Sequence, residues 1–131
     1  MITRFFRLIL SLPSTAGSHS RYRKLFKAMR RVETGGERTP WAVGDHGRAI
    51  GPYRLSHGYW LDAYRYDRTL GGTWPMVVDR RYAEATITAY WNKHASMITS
   101  WEQLARIHKG GPQGHGKPET AKYWSRVNAA L

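Results

Sequence analysis

The sequence predicts an α+β domain, mainly α, with a small β element between its first and second helices. Three observations carry this. Apolar residues recur at helical spacing in several separate stretches. A glycine-punctuated run over residues 41–55 interrupts them. The 131 residues are 41% hydrophobic and 13% aromatic, enough to bury a core in one domain rather than leave a disordered chain.

The first helix is expected over residues 20–33. Leu25, Phe26, Met29 and Val32 fall on one face and bases on the other, and Gly35-Gly36 stops it. Glu33 then lies in its last turn. Ala42-Val43 and Arg48–Ile50 are expected to pair across the Gly44–Gly47 turn. Gly51-Pro52 breaks the chain again, and Ser56 caps a short helix bearing Tyr59, Trp60 and Ala63. Residues 69–78 read as a loop. Asp79 opens the longest helical pattern, with Tyr82, Ala83, Thr86, Ile87, Tyr90, Trp91, His94 and Met97 in one core stripe. Ser100-Trp101-Glu102-Gln103 is a capping box for a helix that ends at Gly110-Gly111-Pro112. Pro118 suits the first turn of a last helix carrying Tyr123, Trp124, Val127 and Leu131.

The chain contains no cysteine, which excludes a disulfide scaffold, a thiolate metal site and a Cys nucleophile. Six scattered histidines lack ligand-like spacing, so neither a metal nor another cofactor is predicted. The net charge of +12 is uneven. Residues 1–32 hold eight Lys/Arg and no acid, and the remainder holds 13 bases against 9 acids. Such a chain favours polyanions: nucleic acid, anionic lipid, or the teichoic acids and peptide carboxylates of a bacterial wall. No stretch is long enough to span a bilayer. Residues 1–20 read as a basic N-terminal arm or a targeting segment, with organelle targeting open, and residues 21–131 as the folded domain.

Glu33 and Asp45 are the candidate catalytic pair. Glu33 ends a helix; Asp45 sits in a Gly-Asp-His-Gly turn of the β element. The two can face each other across a cleft from unlike surroundings, as glycosidic-bond hydrolysis requires. A helix C-terminus and burial both disfavour negative charge, so the Glu33 carboxyl is expected to titrate high, as a proton donor should. A retaining scheme needs the carboxyls roughly 5–5.5 Å apart, an inverting one about 6.5–9.5 Å. On spacing alone a plainer reading competes: Glu33 as a solvated helix end and Asp45 as a turn former. Glu37 is read as solvated, and Asp62 and Asp67 as partners of Arg65 or Arg68. Tyr53, Tyr59, Trp60, Tyr123 and Trp124 offer faces on which a sugar ring can stack, although each also suits a core. The His108–Pro112 loop can lie against a ligand, but it is no phosphate loop, lacking a preceding strand and a following G-K-[ST].

Three blocks resemble the invertebrate-type lysozymes, also called the destabilase family. They are V-E-T-G-G at 32–36, G-P-Y-R-L-S-H-G-Y-W-L-D-A at 51–63, and L-A-R-I-H-K-G-G-P-Q-G-H-G-K-P-E-T-A-K-Y-W-S-R-V at 104–127. The resemblance implies a lysozyme-like fold with a β-hairpin beside the active-site cleft. It implies hydrolysis of the β-1,4 bond between N-acetylmuramic acid and N-acetylglucosamine in peptidoglycan. Glu33 falls on the family's acid and Asp45 on its second carboxylate. Tyr53, Arg54, His57, Tyr59, Trp60, His108, Gly110 and Gly111 fall on or beside the matching blocks as substrate-binding candidates. Two cleft-side residues depart from the pattern: Arg54 replaces a Gln and Lys109 an Asn. The animal members are rich in disulfides, so this cysteine-free chain looks more like a bacterial, phage or intracellular relative. Isopeptidase activity is not predicted, since Ser56 and His57 are weak candidates for it. Peptidoglycan and anionic wall polymers are the expected partners. The alternative is a non-catalytic lysozyme-like binding or structural subunit of a larger assembly, and only that reading admits nucleic acid as a partner.

Overall fold

The computed structural model describes residues 12–35, 43–44, 47–95, 97 and 100–131. Helix α1 runs from Leu12 to Thr34, beginning eight residues before the expected start at 20 and ending as the glycines require. Gly35 closes it at φ 63°, its N–H donating to the Arg31 carbonyl at 2.9 Å.

Three two-residue antiparallel strands follow: β1 (Val43–Gly44), β2 (Ala49–Ile50) and β3 (Leu55–Ser56), in the order β1-β2-β3. The register Val43↔Ile50 and Gly44↔Ala49 places the hairpin one residue later on its first strand than the sequence suggests. The third strand, pairing Ile50 with Leu55 and Ala49 with Ser56, was not expected, because Ser56 reads first as a helix cap. It serves as both. The β2–β3 turn depends on Gly51, whose φ is 82° and where any Cβ would lie 2.4 Å from the Val77 carbonyl oxygen.

Helix α2 (His57–Tyr66) starts at Ser56, whose hydroxyl accepts from the Tyr59 N–H. Residues 69–78, read as a loop, carry parts of two 3-10 turns, Arg68–Leu70 and Trp74–Val78. Helix α3 (Arg80–His94) is capped by Asp79 and α4 (Trp101–Gly110) by Ser100, both through their side chains. Helix α5 (Pro118–Ala130) opens on proline. The α3 stripe is buried from Ala83 to Trp91, but Met97 lies beyond the helix and is 92% exposed.

Helix α2 packs on α3, α4 on α5, and α1 on α5. Leu25, Phe26 and Met29 of α1 meet Tyr53, Leu55, Val77, Ile87, Ile107 and Val127 in one core. Phe26 stacks on Trp91 at 5.4 Å and meets Tyr53 edge-on at 5.7 Å. Each such side chain contributes about 1.5–3 kcal/mol by leaving water.

A polar network sits inside this core. The Tyr53 hydroxyl donates to Glu84 Oε2 at 2.5 Å, and Arg30 Nη1 donates to the same oxygen at 3.0 Å and to the Tyr53 hydroxyl at 2.8 Å. Burial and the Glu84 carboxylate hold the Tyr53 phenol far above its ordinary value, so it remains a donor. Asp62 pairs with Lys93 Nζ (2.5 Å) and His94 Nε2 (2.6 Å), not with Arg65 or Arg68, because α2 lies against the end of α3. Asp67 instead caps the next turn, accepting from the Thr69 N–H at 3.1 Å. Glu37 lies outside the described residues.

Glu84→Ala removes the shared acceptor of Arg30 and Tyr53. It should cost about 3 kcal/mol of stability, read as a lower midpoint in chemical denaturation.

Candidate active-site groove

A groove of about 560 Å³ opens between the end of α1, the small sheet, α2 and the end of α4. Glu33, Ala49, Arg54, Ser56, Tyr59, His108 and Lys109 line it. Glu33 reaches it because Gly35 ends α1 there, leaving the carboxyl in the last turn with a side chain only 5% exposed. The last turn of α4 faces it, bringing His108 Nε2 to 3.7 Å from Glu33 Oε2 and Lys109 Nζ to 3.6 Å from Oε1. Both distances exceed an ordinary hydrogen bond, so these are charge contacts.

His108 is held from behind. Its Nδ1 is 2.9 Å from the Tyr59 hydroxyl. Burial, reinforced by Tyr90, Tyr123 and the Glu33 and Asp62 carboxylates, keeps Tyr59 a phenol. When that phenol donates to Nδ1, neutral His108 carries its hydrogen on Nε2, the nitrogen facing Glu33; the other tautomer would aim a lone pair at a carboxylate. Tyr59 is fixed in turn by stacking on Tyr90 at 3.9 Å.

The electrostatics correct one expectation. Burial does push the Glu33 carboxyl up. The polar and charge contacts with His108, the Lys109 ammonium and the Tyr123 hydroxyl together outweigh that, and the group lies below its ordinary value of 4.5. These surroundings therefore favour the carboxylate. The buried Tyr123 hydroxyl makes no hydrogen bond of good geometry, yet it lies near enough to Glu33 to act on it.

The candidates sort clearly. Glu33, Arg54, Tyr59 and His108 converge on the groove. Tyr53 does not: it is fully buried, with its hydroxyl engaged by Glu84, so no ring face meets a sugar. Trp60 is 7% exposed and donates its indole N–H to the Tyr82 hydroxyl, again a core position. His57 is exposed but packs edge-on against Trp74, outside the groove lining. Gly110 and Gly111 do not line the groove; they follow Lys109 at the end of α4. A Cβ on Gly110 would meet Thr120 Cγ2 at 2.6 Å, and Gly111 caps α4 at φ 89°. Asp45 lies outside the described residues. Gly44, the residue before it, pairs with Ala49 in the groove wall. Lys109 was noticed only as a departure from the family pattern, because its contact with Glu33 joins distant parts of the chain. Among the described residues, no three His, Cys, Asp or Glu side chains cluster to hold a metal.

Arg54 is the one described non-glycine residue with positive φ, at 52°. Its N–H donates to the Gly51 carbonyl at 3.1 Å and its Nη1 to the same oxygen at 2.6 Å, which turns the loop towards the groove.

Comparison with known proteins places this geometry among relatives. The family model described as Destabilase matches residues 24–130. The "Lysozyme" of Ostrea edulis is 32% identical over 87 residues, covering 62% of this chain and 61% of that protein. "Lysozyme 1" of Crassostrea virginica is 31% identical over 86 residues, covering 62% of this chain and 44% of its own length. The chain thus spans less than two thirds of these relatives. The crystal structure of Tapes japonica lysozyme superposes with a TM-score of 0.68 at 26% identity, covering 79% of this chain and 85% of that one.

The Glu33 cluster also has a stability signature. A carboxyl held below 4.5 in the folded state stabilises the fold above that pH, and the contribution is lost as pH falls through the folded value. The difference in melting temperature between the native protein and Glu33→Gln should therefore shift against the native protein as pH falls below 4.5. A constant difference down to pH 2 would contradict the pairing.

Proposed function

The chain belongs to the destabilase family, and from that premise we propose that it is a lysozyme, a muramidase cleaving the β-1,4 linkages of bacterial peptidoglycan. The observation that carries this reading is a nearly buried carboxyl opening onto a groove, Glu33, met by two potential cations from another helix.

Glu33 is the proton donor and Asp45 the second carboxylate. Protonated Glu33 gives its proton to the glycosidic oxygen as the carbon–oxygen bond breaks. Asp45 supports or attacks the positive anomeric carbon, and water adds, returning a proton to Glu33. His108, fixed by Tyr59, orients Glu33. Tyr59 and Arg54 line the path of the sugar. Asp45 enters on the strength of its sequence block, supported by the seat of Gly44 beside the groove wall.

Anionic wall polymers are the second partner. Arg21, Arg23, Lys24, Lys27 and Arg31 are all exposed along α1. Such a face attracts a polyanion, and screening over about 8 Å at physiological salt weakens it. Among the described residues no helix is long and apolar enough to cross a membrane.

A turbidity assay on purified cell walls tests the catalysis. Glu33→Gln should lower the rate about 10²–10⁴-fold, the range of a general acid, with a large loss in Asp45→Asn as well. Equal clearing rates for the native protein and both variants, including none at all, would leave the non-catalytic binding module as the better reading. Separately, co-sedimentation of the Glu33→Gln protein with walls should fall as salt rises. Replacing the five exposed α1 bases with Gln should remove most of that dependence.

A further inference from the structure

We propose that Lys109 has two positions, pairing with Glu33 in the empty groove and swinging to a carboxylate on the bound glycan, which frees Glu33 to take up and donate a proton. The proposal deepens the muramidase reading and rests on it. It makes Lys109 a positioning residue that couples recognition of a charged sugar to the readiness of the acid.

The geometry has three parts. Lys109 Nζ sits 3.6 Å from Glu33 Oε1 and 5.3 Å from the centre of the Tyr123 ring, a loose hold from a long flexible stem. The Lys109 side chain is 49% exposed while that of Glu33 is 5% exposed, so the lysine can move and the glutamate cannot. Lys109 also lines the groove itself, as Ala49 and Arg54 do, where a glycan must pass. An exposed ammonium changes partners at little cost, because solvent already screens its pairing.

Among the described residues, the groups facing Glu33 come from four elements. Helix α4 supplies His108 and Lys109, α5 supplies Tyr123, α2 supplies Tyr59 behind His108, and the β2–β3 turn supplies Arg54 along the groove. Tyr59 is held as a phenol, and Tyr123 is likewise kept neutral by burial and by Glu33. His108 is wedged between Glu33 and Tyr59 with its side chain 3% exposed. Among the described residues, Lys109 is thus the cation beside Glu33 that a ligand can draw off. With it gone, burial of the carboxyl goes less opposed, and Glu33 gains a proton from solvent to give to the leaving oxygen. A glycan without carboxylates, such as an N-acetylglucosamine oligomer, leaves Lys109 in place and meets an ionised Glu33. The groove should therefore prefer carboxylate-bearing glycan for a reason that acts on the chemical step.

The test uses the native protein, Lys109→Met, Lys109→Asn and Lys109→Arg. Carbon-13 NMR of the Glu33 carboxyl is recorded against pH, free and with saturating N-acetylglucosaminyl-N-acetylmuramic acid or N,N′-diacetylchitobiose. In the native protein the muramyl disaccharide should raise the Glu33 midpoint by more than the neutral one does. In Lys109→Met and Lys109→Asn the midpoint should start higher and the two sugars act alike, while Lys109→Arg keeps the native pattern. In hydrolysis, the alkaline limb of kcat/KM should move to higher pH in Lys109→Met. Its preference for wall glycan over chitin oligomers should fall several-fold. A native midpoint that responds equally to both sugars, or one that Lys109→Met leaves unmoved, overturns the proposal. A native protein that shows the NMR response yet cleaves neither polymer would keep the Lys109 exchange and defeat the muramidase reading instead.

Discussion

Two helices end at the same place with opposite electrostatic problems. The C-terminus of α1 carries Glu33, whose charge the helix dipole disfavours; that of α4 carries His108 and Lys109, whose charges it favours. Bringing the ends together resolves the conflict. The carboxylate gains potential cations at 3.6–3.7 Å, and the groove between them acquires a nearly buried ionisable group in its lining. The two glycine stops, Gly35 and Gly111, serve this meeting, since each closes its helix at positive φ two or three residues past the side chains that meet.

Ionisation of Glu33 and the proposed use of its carboxyl as an acid are compatible because the same group would meet two surroundings. Without ligand, the cations beside it govern. With a glycan seated, water leaves and burial counts for more, so the neutral form gains ground. The helix-end position alone pointed only to the second condition. That is why reasoning from the dipole and burial put the Glu33 carboxyl too high.

What was legible in the sequence follows the range of the interactions. Capping is local, so Ser56, Asp79, Ser100 and Pro118 all mark helix starts as expected. Glu33 announced itself through the glycines that follow it. Long-range features were less visible. Glu84, one residue past Ala83 on α3, has no local signal that singles it out, yet it is 5% exposed, because Arg30 and Tyr53 come to it from other elements. Tyr53 and Tyr59 look alike as aromatics in one sequence block. Only the fold sends the first to the core and the second to the groove. The 3-10 turns of 69–78 were read as a loop because they are too short to carry periodicity.

The buried network explains how residues outside the groove still set its shape. Arg30 precedes Glu33 by three positions, so the two lie about one turn apart on the same side of α1. Anchoring Arg30 to Glu84 and Tyr53 fixes the rotation of α1 about its axis, and with it the direction in which Glu33 emerges. Tyr53 in turn is bonded to Arg54, the strained residue on the opposite wall. One cluster of three side chains therefore pins both the acid-bearing helix and the sheet-side turn against α3. Tyr53 contributes to the site without touching it: a residue with an aromatic face suited to sugar does its work through its hydroxyl, by holding two walls of the groove at a fixed separation.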